Sequence, residues 1–182
     1  MISNGLDNIL VKRKETDGYN AVNKEELELS SGYLRKDYKT KFATGPVYKE
    51  QGIDIAEEYS LLGRLYEACP EHTVEPYALI LDETEKPVGY VMEKVKGIEL
   101  SDYLSCSKSR NKETDKYIAE QIKSAVSKYH ERGTCHGDLH ERNIMLCQDY
   151  TVKIIDPFPS TSITMDNGEM MKILGLLSYS HK

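Results

Sequence analysis

Apolar positions change their spacing several times along this 182-residue chain, and each change marks an element. From Asp54 to Cys69, the residues Ile55, Tyr59, Leu62, Leu65 and Tyr66 recur every three or four positions, which predicts a helix that Pro70 ends. Tyr77 to Leu81 and Val88 to Met92 are continuous apolar runs with a polar stretch between them, and predict two strands joined by a turn. The strongest helical pattern runs from Lys112 to His130. Tyr117, Ile118, Ile122, Ala125, Val126 and Tyr129 share one face, and Arg132-Gly133 stops it. Over residues 27–49, Tyr33, Tyr38, Phe42, Val47 and Tyr48 flank a Gly45-Pro46 turn and predict a β-hairpin region. Thr151 to Ile155 reads as a strand, Leu100 to Leu104 as a short helix, and Met170 to Tyr179 as a last short helix. Pro157 and Pro159 break regular structure between them. Residues 1–26 are polar, with Ile9-Leu10-Val11 as a candidate edge strand. Strands, a helix and strands followed by helices make the expected class α+β, with no internal repeat.

Composition narrows this picture without deciding it. The chain is long enough for one compact domain or two small lobes. A net charge of -6 argues against a broad nucleic-acid surface, although local basic contacts are compatible with it. The four cysteines show no paired spacing, no secretory leader opens the chain, and no apolar run reaches membrane-spanning length. The expectation is a cytoplasmic protein with reduced thiols and no membrane span. Cys135, His136, His140 and Cys147 have the side chains of a zinc site but the spacing of no common zinc module.

Chemistry concentrates in His136-Gly137-Asp138-Leu139-His140-Glu141-Arg142-Asn143, followed after a predicted strand by Asp156. An Asp, an Asn five residues on and a second Asp beyond a strand suit phosphoryl transfer. Asp138 can orient an attacking hydroxyl and accept its proton. Asn143 and Asp156 supply oxygens for the magnesium ions that neutralise ATP phosphates. The run resembles the kinase catalytic loop H-R-D-L-x-x-x-N, with Gly137 where Arg usually stands.

Residues of roughly 27–160 resemble the protein-kinase-like superfamily. The His-Gly-Asp form, His140 after Asp138 and the Ile155-Asp156-Pro157 ending are similar to aminoglycoside phosphotransferases, lipopolysaccharide-core kinases and RIO-type atypical kinases. The resemblance implies a bilobal fold. Its β-rich N-terminal lobe would cover 1–95 and carry one helix, and its reduced, mainly helical C-terminal lobe would cover 96–182, with ATP and Mg2+ in the cleft between them. It implies Lys49 as the strand lysine on the α- and β-phosphates, with Val47 on the same strand face against adenine. Glu58 is the expected partner of Lys49, because Leu62 and Leu65 share its stripe whereas Glu57 lies about 100 degrees away. Met92 would be the gatekeeper, with the Glu93 carbonyl and the Val95 amide on the base. Gly32, in Ser30-Ser31-Gly32, takes the place of a phosphate-covering glycine loop, since no G-x-G-x-x-G occurs. His136 would shape the loop, and His140 would stand near the γ-phosphate or the acceptor, with Asp138 and Asn143 as its catalytic companions. Two departures matter. No glycine follows Asp156-Pro157-Phe158 in the D-F-G manner, and 26 residues after Asp156 leave no room for a long activation segment. The reading is therefore a minimal atypical serine/threonine protein kinase with a protein substrate or docking partner. The alternatives are a sugar or aminoglycoside kinase and a nucleotide-binding scaffold or ATPase.

Overall fold

The computed structural model describes residues 9–13, 19–21, 33–37, 55–81, 84–106, 110–159 and 162–178. The chain divides into two compact units, Met1–Ser60 with Pro76–Lys94, and Leu61–Glu75 with Val95–Lys182. The stretch 61–75 falls in the second unit. Leu61, Leu65 and Cys69 are buried in the core cluster of the second unit, so the helix holding them is shared.

The first unit is built on an antiparallel sheet of β1 (Ile9–Arg13), β2 (Tyr19–Ala21), β3 (Tyr33–Asp37), β4 (Pro76–Leu81) and β5 (Pro87–Glu93), in the order β2-β1-β4-β5-β3. β1 is therefore internal and not an edge strand. β2, too short and polar to announce itself by alternation, pairs with its outer side. β3 pairs with β5 from Tyr33↔Glu93 to Asp37↔Gly89, and the rest of the expected hairpin, including Val47 and Lys49, lies outside the described residues, as does Gly32. Ala78, Leu79 and Ile80 are consecutive and all buried, which explains why β4 reads as an unbroken apolar run. The helix α1 (Ile55–Ala68) turns Tyr59 onto Tyr90 of β5, with ring centroids 5.8 Å apart.

The second unit packs α2 (Leu100–Ser105), α3 (Lys112–Glu131) and α4 (Ile163–Ser178) with a small sheet of β6 (Gly97–Glu99), β7 (Ile144–Cys147) and β8 (Val152–Ile154), in the order β6-β7-β8. The predicted face of α3 is the buried one. Ile118, Ile122, Ala125, Val126 and Tyr129 join Leu100, Ile144, Val152 and Ile173 in one core, while Tyr117 stays about half exposed at 48%. Asn111 starts α3 by accepting the Thr114 amide at 2.9 Å. Its end is a Schellman motif. Thr134 N–H donates to Tyr129 O at 3.0 Å and Gly133 N–H to His130 O at 2.9 Å, with Gly133 at φ +68°. α4 begins seven residues before the expected Met170. Its first turns are polar and carry no apolar period, but Ser162 accepts the Asp166 and Met165 amides and starts the helix at once.

Candidate active site

The loop 136–143 follows directly from the turn that ends α3, and it is held by its own backbone and by the core. Leu139 is buried beside Asp138, and Ile144 is buried directly after Asn143, so both ends of the reactive stretch are anchored. His136 is fully buried. Its Nε2 lies 2.8 Å from Ile155 O, and the Asp138 amide approaches its Nδ1 at 3.4 Å. The arrangement is that of a neutral ring with its proton on Nε2. Burial pushes its pKa below the usual 6.5, against the opposing pull of Asp166. Both ring nitrogens are engaged, Nδ1 within the loop and Nε2 by Ile155 beyond it, which leaves neither for a zinc ion.

Asn143 ties the loop to the second aspartate. Its side-chain nitrogen donates to Asp138 O at 2.8 Å and to Asp138 Oδ2 at 3.2 Å, and lies 3.5 Å from Asp156 O. Its backbone oxygen accepts the Ile155 amide at 3.0 Å. Phe158 N–H donates to His136 O at 2.8 Å. Asp156 is thus fixed from both sides, and it adopts φ +54°, a left-handed conformation that costs a non-glycine residue roughly 1–3 kcal/mol. Such strain persists only where surrounding contacts over-determine it.

The Asp138 side chain is about half exposed, at 54%, and His140 Nε2 stands 3.6 Å from its Oδ2. The Arg142 amide donates to His140 Nδ1 at 3.2 Å, which leaves the Nε2 proton directed at the Asp138 carboxylate. Asp138, His140, Asn143 and the backbone of Asp156 are therefore brought together. With its amide nitrogen engaged, Asn143 has Oδ1 to offer as an acceptor. That oxygen and the Asp156 carboxylate are hard donors of the kind magnesium takes, and the chemistry of the donor set fits that ion.

In the first unit, Glu58 is buried, at 2% exposure, and accepts the Tyr90 hydroxyl at 2.7 Å, whereas Glu57 is exposed. Met92 is buried in β5 and Glu93 is half-buried at its end, while Val95, half-buried, belongs to the second unit.

Asp166 of α4 escaped sequence reasoning altogether. Its carboxylate is buried, at 1% exposure, and accepts the amides of His136 and Gly137 at 2.9 Å each, while His130 Nε2 lies 3.2 Å away. Gly137 meets it at φ +83°, where a side chain would be strained, which gives the departure from Arg a local reason. An acid four residues after Ser162 was the available signal, but a helix's first-turn acid is ordinarily a solvated one.

An α+β chain with Asp138 and Asn143 on a core-anchored loop and Asp156 pinned to that loop has a kinase-like fold. The chain belongs to the protein kinase domain family, whose model matches residues 35–180. It is 34% identical over 105 residues to the maternal embryonic leucine zipper kinase of Xenopus laevis, covering 58% of this chain and 16% of that one. It is 40% identical over 73 residues to CBL-interacting serine/threonine-protein kinase 15 of Arabidopsis thaliana, covering 40% of this chain and 17% of that one. The SNF1-related protein kinase catalytic subunit alpha KIN12 of Arabidopsis thaliana is 29% identical over 124 residues, 68% of this chain and 24% of that one. The chain spans about a sixth of the length of the first two of these relatives.

Proposed function

We propose that the protein is an ATP-dependent phosphotransferase, a small atypical serine/threonine protein kinase that transfers the γ-phosphoryl group to a hydroxyl of a protein. The observation that carries this is the Asp138–Asn143–Asp156 network, in which one amide side chain bonds the candidate base and reaches the backbone of the candidate metal ligand. Asp138 orients the acceptor hydroxyl and takes its proton as the new oxygen–phosphorus bond forms and the bond to ADP breaks. Its half-exposed carboxylate is open to an acceptor arriving from solvent. Magnesium bound with ATP would neutralise phosphate charge, with Asn143 Oδ1 and the Asp156 carboxylate as its protein ligands. His140, held by the Arg142 amide, steadies Asp138 and offers a donor to the transferring group or the acceptor. Lys49 with Glu58 would hold the α- and β-phosphates, Gly32 would cover them, and Val47, Met92, Glu93 and Val95 would receive the base.

The atypical character rests on the connection after Asp156. Residues 157–165 alone separate it from Asp166, which clasps the backbone of the catalytic loop. A phosphorylated activation loop has no length there to form, and Asp166 keeps the loop in shape without one. Protein acceptors are favoured by the relatives, whose names are those of protein kinases. The deciding experiment offers radiolabelled ATP and magnesium to wild type and Asp138→Asn, with generic protein acceptors, sugars and aminoglycosides in parallel. Label on protein with wild type alone is the expected result. Label on a sugar or aminoglycoside alone refutes the protein-kinase reading, and label from neither refutes transfer.

A further inference from the structure

Away from the catalytic loop, residues of α3 and α4 line a groove of about 670 Å³. Its two walls differ in chemistry. On the α3 side Lys112, Lys116 and Lys123 line it, and on the α4 side Met171, Leu174 and Gly175 do. Met171 is 63% exposed, so the apolar wall faces solvent.

Among the described residues, Lys112 and Lys123 of the α3 wall form no ion pair. Asp115 also lines the groove, but it is buried and accepts from Arg110 at 2.7 Å and from the Tyr103 hydroxyl at 2.8 Å. Lys116 meets Glu120 at 3.7 Å in a pair exposed on both sides, which is worth little and exchanges readily. A basic wall on a chain of net charge -6 runs against the charge of the molecule as a whole.

Gly175 supplies an independent observation. It sits inside α4, where glycine costs roughly 1 kcal/mol relative to alanine. A Cβ there would meet no atom of the described residues within 4 Å, so nothing described in the fold requires glycine. The space it leaves opens into the groove. The groove also has a fixed end, because Arg110 joins Asp115 at the start of α3 to the Leu176 carbonyl at the end of α4, 3.0 Å away.

We infer that this groove is a docking site for an amphipathic helix of a partner protein, with its apolar face against Met171, Leu174 and Gly175 and an acidic flank against Lys112, Lys116 and Lys123. Gly175 lets the backbone of the incoming helix approach α4 closely, and the lysines set its orientation. The site lies apart from Asp138 and its neighbours, so it stands whether or not the phosphotransfer reading holds.

The test uses the full chain and two labelled synthetic helical peptides with the same leucine stripe at i, i+3 and i+7. One carries glutamates along the flank and the other carries lysines. Fluorescence polarisation should show the glutamate peptide binding at least about tenfold more tightly than the lysine peptide. The triple variant Lys112→Glu, Lys116→Glu, Lys123→Glu, which changes exposed side chains, should reverse that order. Gly175→Leu should fill the groove and weaken the glutamate peptide by about tenfold or more, at a melting temperature equal to or above that of wild type. Equal affinity for the two peptides, no binding of either, or binding indifferent to the lysine reversal overturns the proposal. Sedimentation of the protein alone is the remaining arm, and a concentration-dependent dimer abolished by Gly175→Leu would give the groove to a second copy and overturn it as well.

Discussion

At the scale of single residues, the loop 136–143 is held by hydrogen bonds from His136, Gly137 and Asn143. Asp138→Asn keeps the shape of the side chain and removes its charge, so nucleotide affinity should hold while transfer falls about a hundredfold to ten-thousandfold. Titration calorimetry and a phosphate-transfer assay on one preparation check both halves, and undiminished transfer assigns the base elsewhere. Asp156 separates a functional role from a structural one through its φ of +54°. Asp156→Gly relieves the backbone and should be as stable as wild type or slightly more so, whereas Asp156→Ala keeps the strain. Both should lose magnesium-dependent ATP binding. A Gly variant that keeps that binding would refute the metal assignment. Asp166→Ala leaves the buried amides of His136 and Gly137 without their acceptor, at about 1–3 kcal/mol for each orphaned donor. Denaturant melts should show that loss even without nucleotide.

At the scale of elements, α3 is the pillar that brings the chain to the loop. Its apolar face sits in the common core, and its end is set by Gly133. A Cβ on Gly133 would meet no atom of the described residues within 4 Å, so the cost of Gly133→Ala is conformational and not steric, on the order of 1 kcal/mol from its φ of +68°. Gly133→Asn should lose less, because asparagine tolerates the left-handed region. Comparing the two by chemical denaturation distinguishes this from a packing effect, which would penalise the larger Asn more. α4 plays the complementary part. It was expected to be a short helix from Met170, yet its first turn supplies Asp166, and its later turns bury Ile173 and Leu177.

At the scale of the whole molecule, one buried and one half-buried histidine link stability to pH. Burial lowers the pKa of both His136 and His72 below the usual 6.5. Above 6.5 the rings are neutral in the folded and unfolded chain alike, and they contribute no pH dependence. Below it the unfolded chain takes up protons that the native rings refuse. The unfolded state then binds more protons, and stability falls as the pH drops until the native rings themselves protonate. Melts at pH 7.5, 6.5 and 5.5 should show this decline, and His72→Gln, which removes one of the two rings, should make it shallower. Glu71 acts in a separate window. Its hydrogen bond to Lys128 holds its pKa at about 2, so its contribution is lost only well below the histidine range. An unchanged midpoint between pH 7.5 and 5.5 would contradict the histidine assignment.

Sequence alone determined the class of structure and the local spacing of the loop 136–143. The period of Ile118 to Tyr129, the apolar runs of β4 and β5 and the spacing of Asp138, Asn143 and Asp156 are local facts, and local spacing is what secondary structure and a contiguous loop depend on. Contacts between distant segments were decided only in three dimensions. β1 became internal because an unpatterned three-residue strand paired beside it, and strand pairing of that length carries no period to read. The C-terminal half of α1 joined the second unit because the partners of Leu61, Leu65 and Cys69 lie far along the chain. Asp166 shows the same limit most sharply. Its role comes from two backbone amides 29 and 30 residues away, and nothing in its own neighbourhood distinguishes a buried clasp from a solvated acid at the start of a helix.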